Sequence, residues 1–266
     1  MNEKIQAVVS IVEAIFYIVT GSIALLTFLI ARRTVLQPIK TEVFKKQIDI
    51  ATDIMNLFNG KNELDIRKAF GFDLMEHANI CNMLDTYAQF FFDIKIDGSK
   101  RPYNKDACPC SIVSSYFMEH YFEPVLSPGE EIVHENIEPE DGPETISKEE
   151  KWKSYTYGII CQPRKTTCML DQLDEIMKSP FLPHKAVQLL AEIKETVHRN
   201  SIKLGEVLTE VSQQLPIFYP DLESMKTANM SWISQKYAEE FIPMEKSCND
   251  LTEYLREYFH VESIMK

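Results

Sequence analysis

Residues 5–31 read IQAVVSIVEAIFYIVTGSIALLTFLIA, and this stretch decides the architecture of the 266-residue chain. Glu13 is its one formal charge, and the 18 residues from Ala14 to Ala31 carry none. As a helix rising ~1.5 Å per residue, that charge-free part is about 27 Å long, close to the ~30 Å hydrocarbon core of a bilayer. The stretch therefore predicts a transmembrane helix over 5–31. A cleaved secretory signal would combine a basic start, an apolar core of roughly 7–15 residues and a small-residue cleavage site. Here Lys4 is offset by Glu3, the apolar run is longer, and Arg32-Arg33 follows at once. A retained anchor is the expectation.

Arg32 and Arg33 also set the direction. With Lys40, Lys45 and Lys46 they give the C-terminal flank five cations, against Lys4 alone on the other side. Lys and Arg stay on the cytoplasmic side of a span. The predicted topology is a single pass with a short extracytoplasmic N-terminus (1–4) and a cytoplasmic C-terminal domain. Asn229-Met230-Ser231 has the N-glycosylation pattern, which a cytoplasmic domain never uses. Glu13 reads as a boundary residue reaching interfacial water, since the span is nearly long enough without it. Thr20 and Ala24 have the small-x-x-x-small spacing that permits close helix pairing.

Charge divides the chain. Residues 1–61 hold seven Lys/Arg and five Asp/Glu, leaving 21 and 35 for residues 62–266, a net of −14. Basic residues beside the span suit anionic headgroups, whereas the acidic remainder repels a polyanion. The expected partners are a lipid bilayer and a protein partner or second copy, not nucleic acid. Eight glycines leave little for phosphate-binding loops. No P-loop, dinucleotide fingerprint, nucleophile elbow or His-Glu-x-x-His occurs, so no cofactor is expected. The six cysteines, at 81, 108, 110, 161, 168 and 248, are expected as thiols in a reducing cytoplasm.

Apolar periodicity predicts an all-α chain. A juxtamembrane helix covers 32–60, with Pro38 at a possible hinge. A helical lobe follows over 61–126, built around a helix from about 67 to 94. Its apolar face holds Phe70, Leu74, His77, Ala78, Cys81, Leu84, Ala88 and Phe91. Residues 95–110 read as a loop and 111–122 as a short helix. Residues 127–147 form an acidic, Pro- and Gly-interrupted loop. The second lobe, 148–266, reads as helices at 148–160, 166–178, 184–214, 221–241 and 244–262. Ser147 and Glu150 have the spacing of a capping box, and Pro183 suits a first helical turn. Tyr155 to Cys161 has strand-like composition, but a lone strand makes no sheet.

The run from Arg32 through Pro38, with Thr41-Glu42-Val43-Phe44 and Lys45-Lys46-Gln47, resembles the juxtamembrane segment of uncharacterised bacterial single-span membrane proteins. That resemblance implies a bacterial cytoplasmic (inner) membrane and a helical cytosolic domain. It implies no activity and no functional residue.

Candidate chemistry is sparse. His77, Cys81 and Asp85 fall at i, i+4 and i+8, so one helix face offers an imidazole, a thiolate and a carboxylate to a metal. The competing reading places His77 and Cys81 in the core. Cys108-Pro109-Cys110, with Cys161 and Cys168, offers four thiols, but the gaps of one and six residues fit zinc pairs poorly. Cys108 and Cys110 also make a candidate redox pair. His120 lies among Tyr116, Phe117, Tyr121 and Phe122, a composition suited to an aromatic pocket. The function the sequence suggests is a membrane-anchored interaction or regulatory module. A metal-assisted enzyme around His77 and His120, and an effector acting through its own span, are the alternatives.

Overall fold

The computed structural model describes residues 2–97, 107–121, 147–229 and 231–259. Most of the acidic 127–147 segment lies outside them, as do the side chains of Arg33 and His120. The chain is mostly helical, with 76% helix and 4% strand. It divides into two compact units, one made of Met1–Asn56 with Pro180–Leu182, the other of Leu57–Ser179 with Pro183–Lys266.

The first unit is α1, Asn2–Phe58, whose last two residues belong to the second unit. Its apolar window is long enough to cross a membrane, and none of that window is buried. Hydroxyls within it need no water: Thr20, Ser22 and Thr27 donate to the carbonyls four residues back at 2.7–2.8 Å. Pro38 does not interrupt the helix. Proline removes one backbone donor, and the bonds on either side hold the helix through it, which replaces the expected hinge. Farther along, the Gln47 amide donates to the Phe181 carbonyl at 3.0 Å, and the Lys46 ammonium lies 5.2 Å from the Phe181 ring centroid.

The second unit is organised on α7, His184–Ser212, which follows the predicted helix closely. The expected stripe, including Ala186, Leu190, Ile193, Val197, Leu204, Leu208 and Val211, is buried. At ~25 cal/mol per Å² of apolar surface, each of its larger side chains contributes about 1.5–3 kcal/mol on burial. Against α7 pack α3 (Phe72–Phe92), α6 (Arg164–Met177), α10 (Ser231–Glu240) and α11 (Glu245–Tyr258). On α11, Cys248, Leu251 and Leu255 are fully buried as the pattern requires, whereas Tyr258 is exposed.

The predicted helix over 67–94 is two helices, α2 (Glu63–Ala69) and α3. Gly71 separates them at φ 73°, a left-handed turn that a side chain disfavours, and a Cβ there would lie 3.3 Å from Thr166 Oγ1. The Thr166 hydroxyl donates to the Phe70 carbonyl at 2.5 Å, fixing the same corner. The start of α2 and the start of α11 cap each other. Glu63 Oε2 accepts the N–H groups of Met244 and Glu245, each at 2.8 Å, and the Glu245 carboxylate accepts the Glu63 N–H at 3.0 Å. Each carboxylate thus sits at the positive end of the other's helix.

The expectation of a helical chain holds in its coarse form, and the described residues add one small ribbon to it. Cys110–Val113 (β1) and Ile159–Gln162 (β2) form a two-stranded antiparallel ribbon, with Ser111 opposite Cys161. The partner strand lies inside residues read as loop and helix, so α4 is only Ser115–Tyr121 and α5 only Lys148–Trp152. Beyond Trp152, Tyr155, Thr156, Tyr157, Ile159 and Ile160 are β-branched or aromatic, which favours extension over helix. The Ser147–Glu150 capping box is formed, with both reciprocal bonds present. Between α7 and α10, α8 (Leu215–Phe218) and α9 (Leu222–Lys226) are short, so the predicted 221–241 helix is broken.

Candidate functional site

The sequence-predicted candidates land in different places along α3. His77 is exposed, contrary to its assignment to the core stripe, while Cys81 is buried. One turn apart, the Cys81 sulfur and His77 Nε2 stand 3.9 Å from each other. Asp85 is half-buried a turn farther on. Cys108 packs against Ala78 and Cys81, whereas Cys110 and Cys168 are exposed. Cys161 Sγ accepts from the Asn82 amide at 3.3 Å. Burial pushes the thiols of both Cys108 and Cys161 up, so neither is a ready nucleophile at neutral pH. Among the described residues, no three or more His, Cys, Asp or Glu side chains gather in a way that could hold a metal ion.

What the structure brings together is a polar cleft of about 610 Å³ between α3 and the segment that leads into α10. Asp73, Glu76 and His77 line one side, and Asn229, Ser231 and Ser234 the other. Helical spacing places the α3 residues on one face, because positions three and four apart are neighbours. On the far side, Asn229 Oδ1 accepts the Ser231 N–H at 2.9 Å and so shapes the turn into α10. Asn229 itself is exposed.

Glu76 is the chemically distinctive group. Its side chain is 14% exposed and meets the Arg67 guanidinium at 3.5 Å. Arg67 in turn lies 4.2 Å from the Phe241 ring centroid, which fixes it behind the cleft. Burial raises the Glu76 pKa above its ordinary value, outweighing the hydrogen bond from Ser234 and the charge of Arg67. Between the unfolded value near 4.5 and the higher folded one, the folded chain binds the extra proton. Stability therefore falls as pH rises through that window and returns on acidification. Carbon-detected titration should find the Glu76 carboxyl titrating above its ordinary value, and Glu76→Gln should flatten the pH profile of unfolding there. An ordinary titration point, or an unchanged profile in Glu76→Gln, would contradict the burial argument.

Sequence reasoning missed the residue that holds this helix to the ribbon. Asn79 is fully buried on α3. Its amide donates to the carbonyls of Met75 (2.6 Å) and Cys161 (2.9 Å), and its oxygen accepts from the Cys161 N–H (2.7 Å) and the Tyr157 hydroxyl (2.8 Å). All four hydrogen-bonding positions of the side chain are used. Its immediate neighbours Ala78 and Ile80 are apolar, but Glu76, His77 and Asn82 surround them, so the sequence carried no clear mark of its role. No family model matches the chain, and no curated protein and no solved structure matches it either.

Proposed function

We propose that the chain is a single-pass membrane protein whose helical domain serves as an interaction or regulatory module on the cytoplasmic side of a bacterial inner membrane. The observation that carries this reading is the wholly unburied apolar window of α1. Unburied surface of that length and composition is incompatible with water and suited to lipid. The five cations after Ala31 support the inward direction, and the acidic remainder keeps the domain off anionic headgroups. The polar cleft beside Glu76 offers the domain a place to receive a ligand or a partner's side chains.

Alkaline carbonate extraction of membranes from cells expressing the full chain tests the anchor. The protein is expected to remain in the pellet, and release into the supernatant would remove the reading. Expression through a eukaryotic secretory pathway tests direction, because glycan at Asn229 requires the opposite topology. For the module itself, the chain purified from native membranes in mild detergent is expected to retain a stoichiometric protein partner. A monomer that retains none counts against it.

An enzyme is the second reading, supported by a carboxyl of raised pKa beside an imidazole in one cleft. Bound metal in the purified protein, together with loss of phenotype in His77→Ala, would favour it. Exchanging α1 for an unrelated span distinguishes a tether, which tolerates the exchange, from a span that acts in its own right.

A further inference from the structure

Two thiols and an imidazole meet along α3. Cys81 is buried on this helix at 6% exposure, and Cys108, half-buried just before β1, packs against it. From one turn back on α3, His77 Nε2 stands 3.9 Å from Cys81 Sγ, within reach of a hydrogen bond to a thiol. The chain beside Cys108 is anchored: the Ala107 carbonyl accepts the Arg164 N–H at 2.8 Å, which ties it to the start of α6. The sequence offers Cys110 as the partner of Cys108. Packing favours Cys81, because Cys110 is an exposed residue of β1 set opposite Gln162.

These positions give the two sulfurs different parts. Burial and the neighbouring Cys161 keep Cys108 in its thiol form. Cys81 has a base at its sulfur, and the thiolate rather than the thiol is the nucleophile. Hydrogen peroxide is an oxidant small enough for a sulfur so little exposed. The His77 imidazole takes the Cys81 proton, and the thiolate attacks one peroxide oxygen. The O–O bond breaks, the other oxygen leaves as water with the proton from His77, and Cys81 becomes a sulfenic acid. The Cys108 sulfur then attacks the Cys81 sulfur, the S–O bond breaks, and the Cys108 proton leaves with the hydroxyl as a second water. Two thiols and one peroxide thus become one disulfide and two waters, with two electrons passing from sulfur to oxygen.

We propose that Cys81 and Cys108 are the site of a reversible disulfide formed by peroxide, with His77 as the base that activates Cys81. The bond ties α3 to the chain entering β1. It is a second fastening two residues from Asn79, whose side chain binds the backbone of β2. Such a site gives the domain an oxidant input, and it stands whether or not α1 spans a membrane.

The test treats the full chain in lipid nanodiscs with hydrogen peroxide, blocks the remaining thiols, and identifies unreduced tryptic peptides by mass spectrometry. A Cys81–Cys108 cross-link is expected, lighter than its two free peptides by two hydrogens and reversed by dithiothreitol. Cys110→Ser should keep the cross-link. Cys108→Ser should lose it and leave Cys81 as a sulfenic acid that dimedone labels. His77→Gln should slow its formation by about ten-fold or more, as expected for loss of a base beside the nucleophile. Thermal unfolding of each variant separates a lost site from a lost fold. Cys110→Ser and His77→Gln change exposed side chains and should unfold with the wild type, so their comparison stands even where Cys108→Ser does not fold. A cross-link from Cys108 to Cys110 or Cys161 in place of Cys81, no cross-link at all, or a rate unchanged in His77→Gln overturns the proposal.

Discussion

Replacing Asn79 by alanine should destabilise the helical domain by about 3–5 kcal/mol, a large share of the ~5–15 kcal/mol typical of folded domains. The reason lies in the ribbon. Among the described residues the sheet has two strands, so the outer edge of β2 meets no third strand there. Cys161 turns its N–H and its carbonyl toward α3, where the Asn79 side chain meets both. Alanine strands those two groups, each at about 1–3 kcal/mol for a buried unpaired group, and also removes the bond to the Tyr157 hydroxyl. Urea unfolding of the wild type, Asn79→Ala and Tyr157→Phe makes the comparison. Tyr157→Phe removes one of the four bonds and strands nothing on the backbone, so it should cost only about 1 kcal/mol. Should Asn79→Ala cost no more than that, the amide is not what holds the ribbon. Hydrogen exchange supplies a second readout, because the Cys161 amide should lose its protection in Asn79→Ala and keep it in Tyr157→Phe.

The second large effect is expected at Asn200, where the same device recurs. Asn200 is fully buried on α7 and grips Ile242 by both backbone groups: its amide donates to the Ile242 carbonyl at 2.9 Å, and its oxygen accepts the Ile242 N–H at 2.8 Å. Its own carbonyl accepts from the Tyr237 hydroxyl at 3.1 Å. Ile242 lies in the short connection between α10 and α11, so this bond sets how both helices rest on α7. Asn200→Asp keeps the shape and replaces the donor facing the Ile242 carbonyl with a second acceptor. At neutral pH a buried carboxylate would then oppose a carbonyl oxygen, at a cost of about 3–5 kcal/mol. Burial raises the folded-state pKa of that aspartate above its unfolded value of about 3.9. The folded variant therefore binds a proton that the unfolded one has released, and stability rises as pH falls through the folded pKa. Once protonated, the carboxyl again donates to Ile242. Denaturation at several pH values should show Asn200→Asp recovering toward the wild type on acidification, with Asn200→Ala showing no such recovery. A variant equally unstable at every pH would mean that Ile242 is held by other contacts.

Both predictions concern residues whose importance was hidden in the sequence, and the reason is the same. An asparagine in a helix reads as a mild helix disfavourer, and its two bonds to a distant backbone have no local signature. What periodicity does reveal is which face of a helix is apolar. It placed Leu190, Ile193, Leu204 and Leu208 in the core correctly, because 3.6-residue spacing is a property of the helix itself. It failed for His77, which lies at the margin of the α3 stripe. One step around a helix decides between core and cleft there, and only the position of the α9–α10 connection settles it.

The sequence by itself determined the features that depend on neighbours along the chain: the apolar length of α1, the capping box at Ser147, the α7 stripe and the mostly helical character. Tertiary structure alone decided the features that join distant segments. Val113 pairs with Ile159, Asn79 reaches Cys161, Glu63 caps α11 and Phe117 lies on Gly158. Local propensity carries no term for such pairings. They form because buried backbone groups must find partners and apolar surface must be covered, and only the assembled domain offers the candidates.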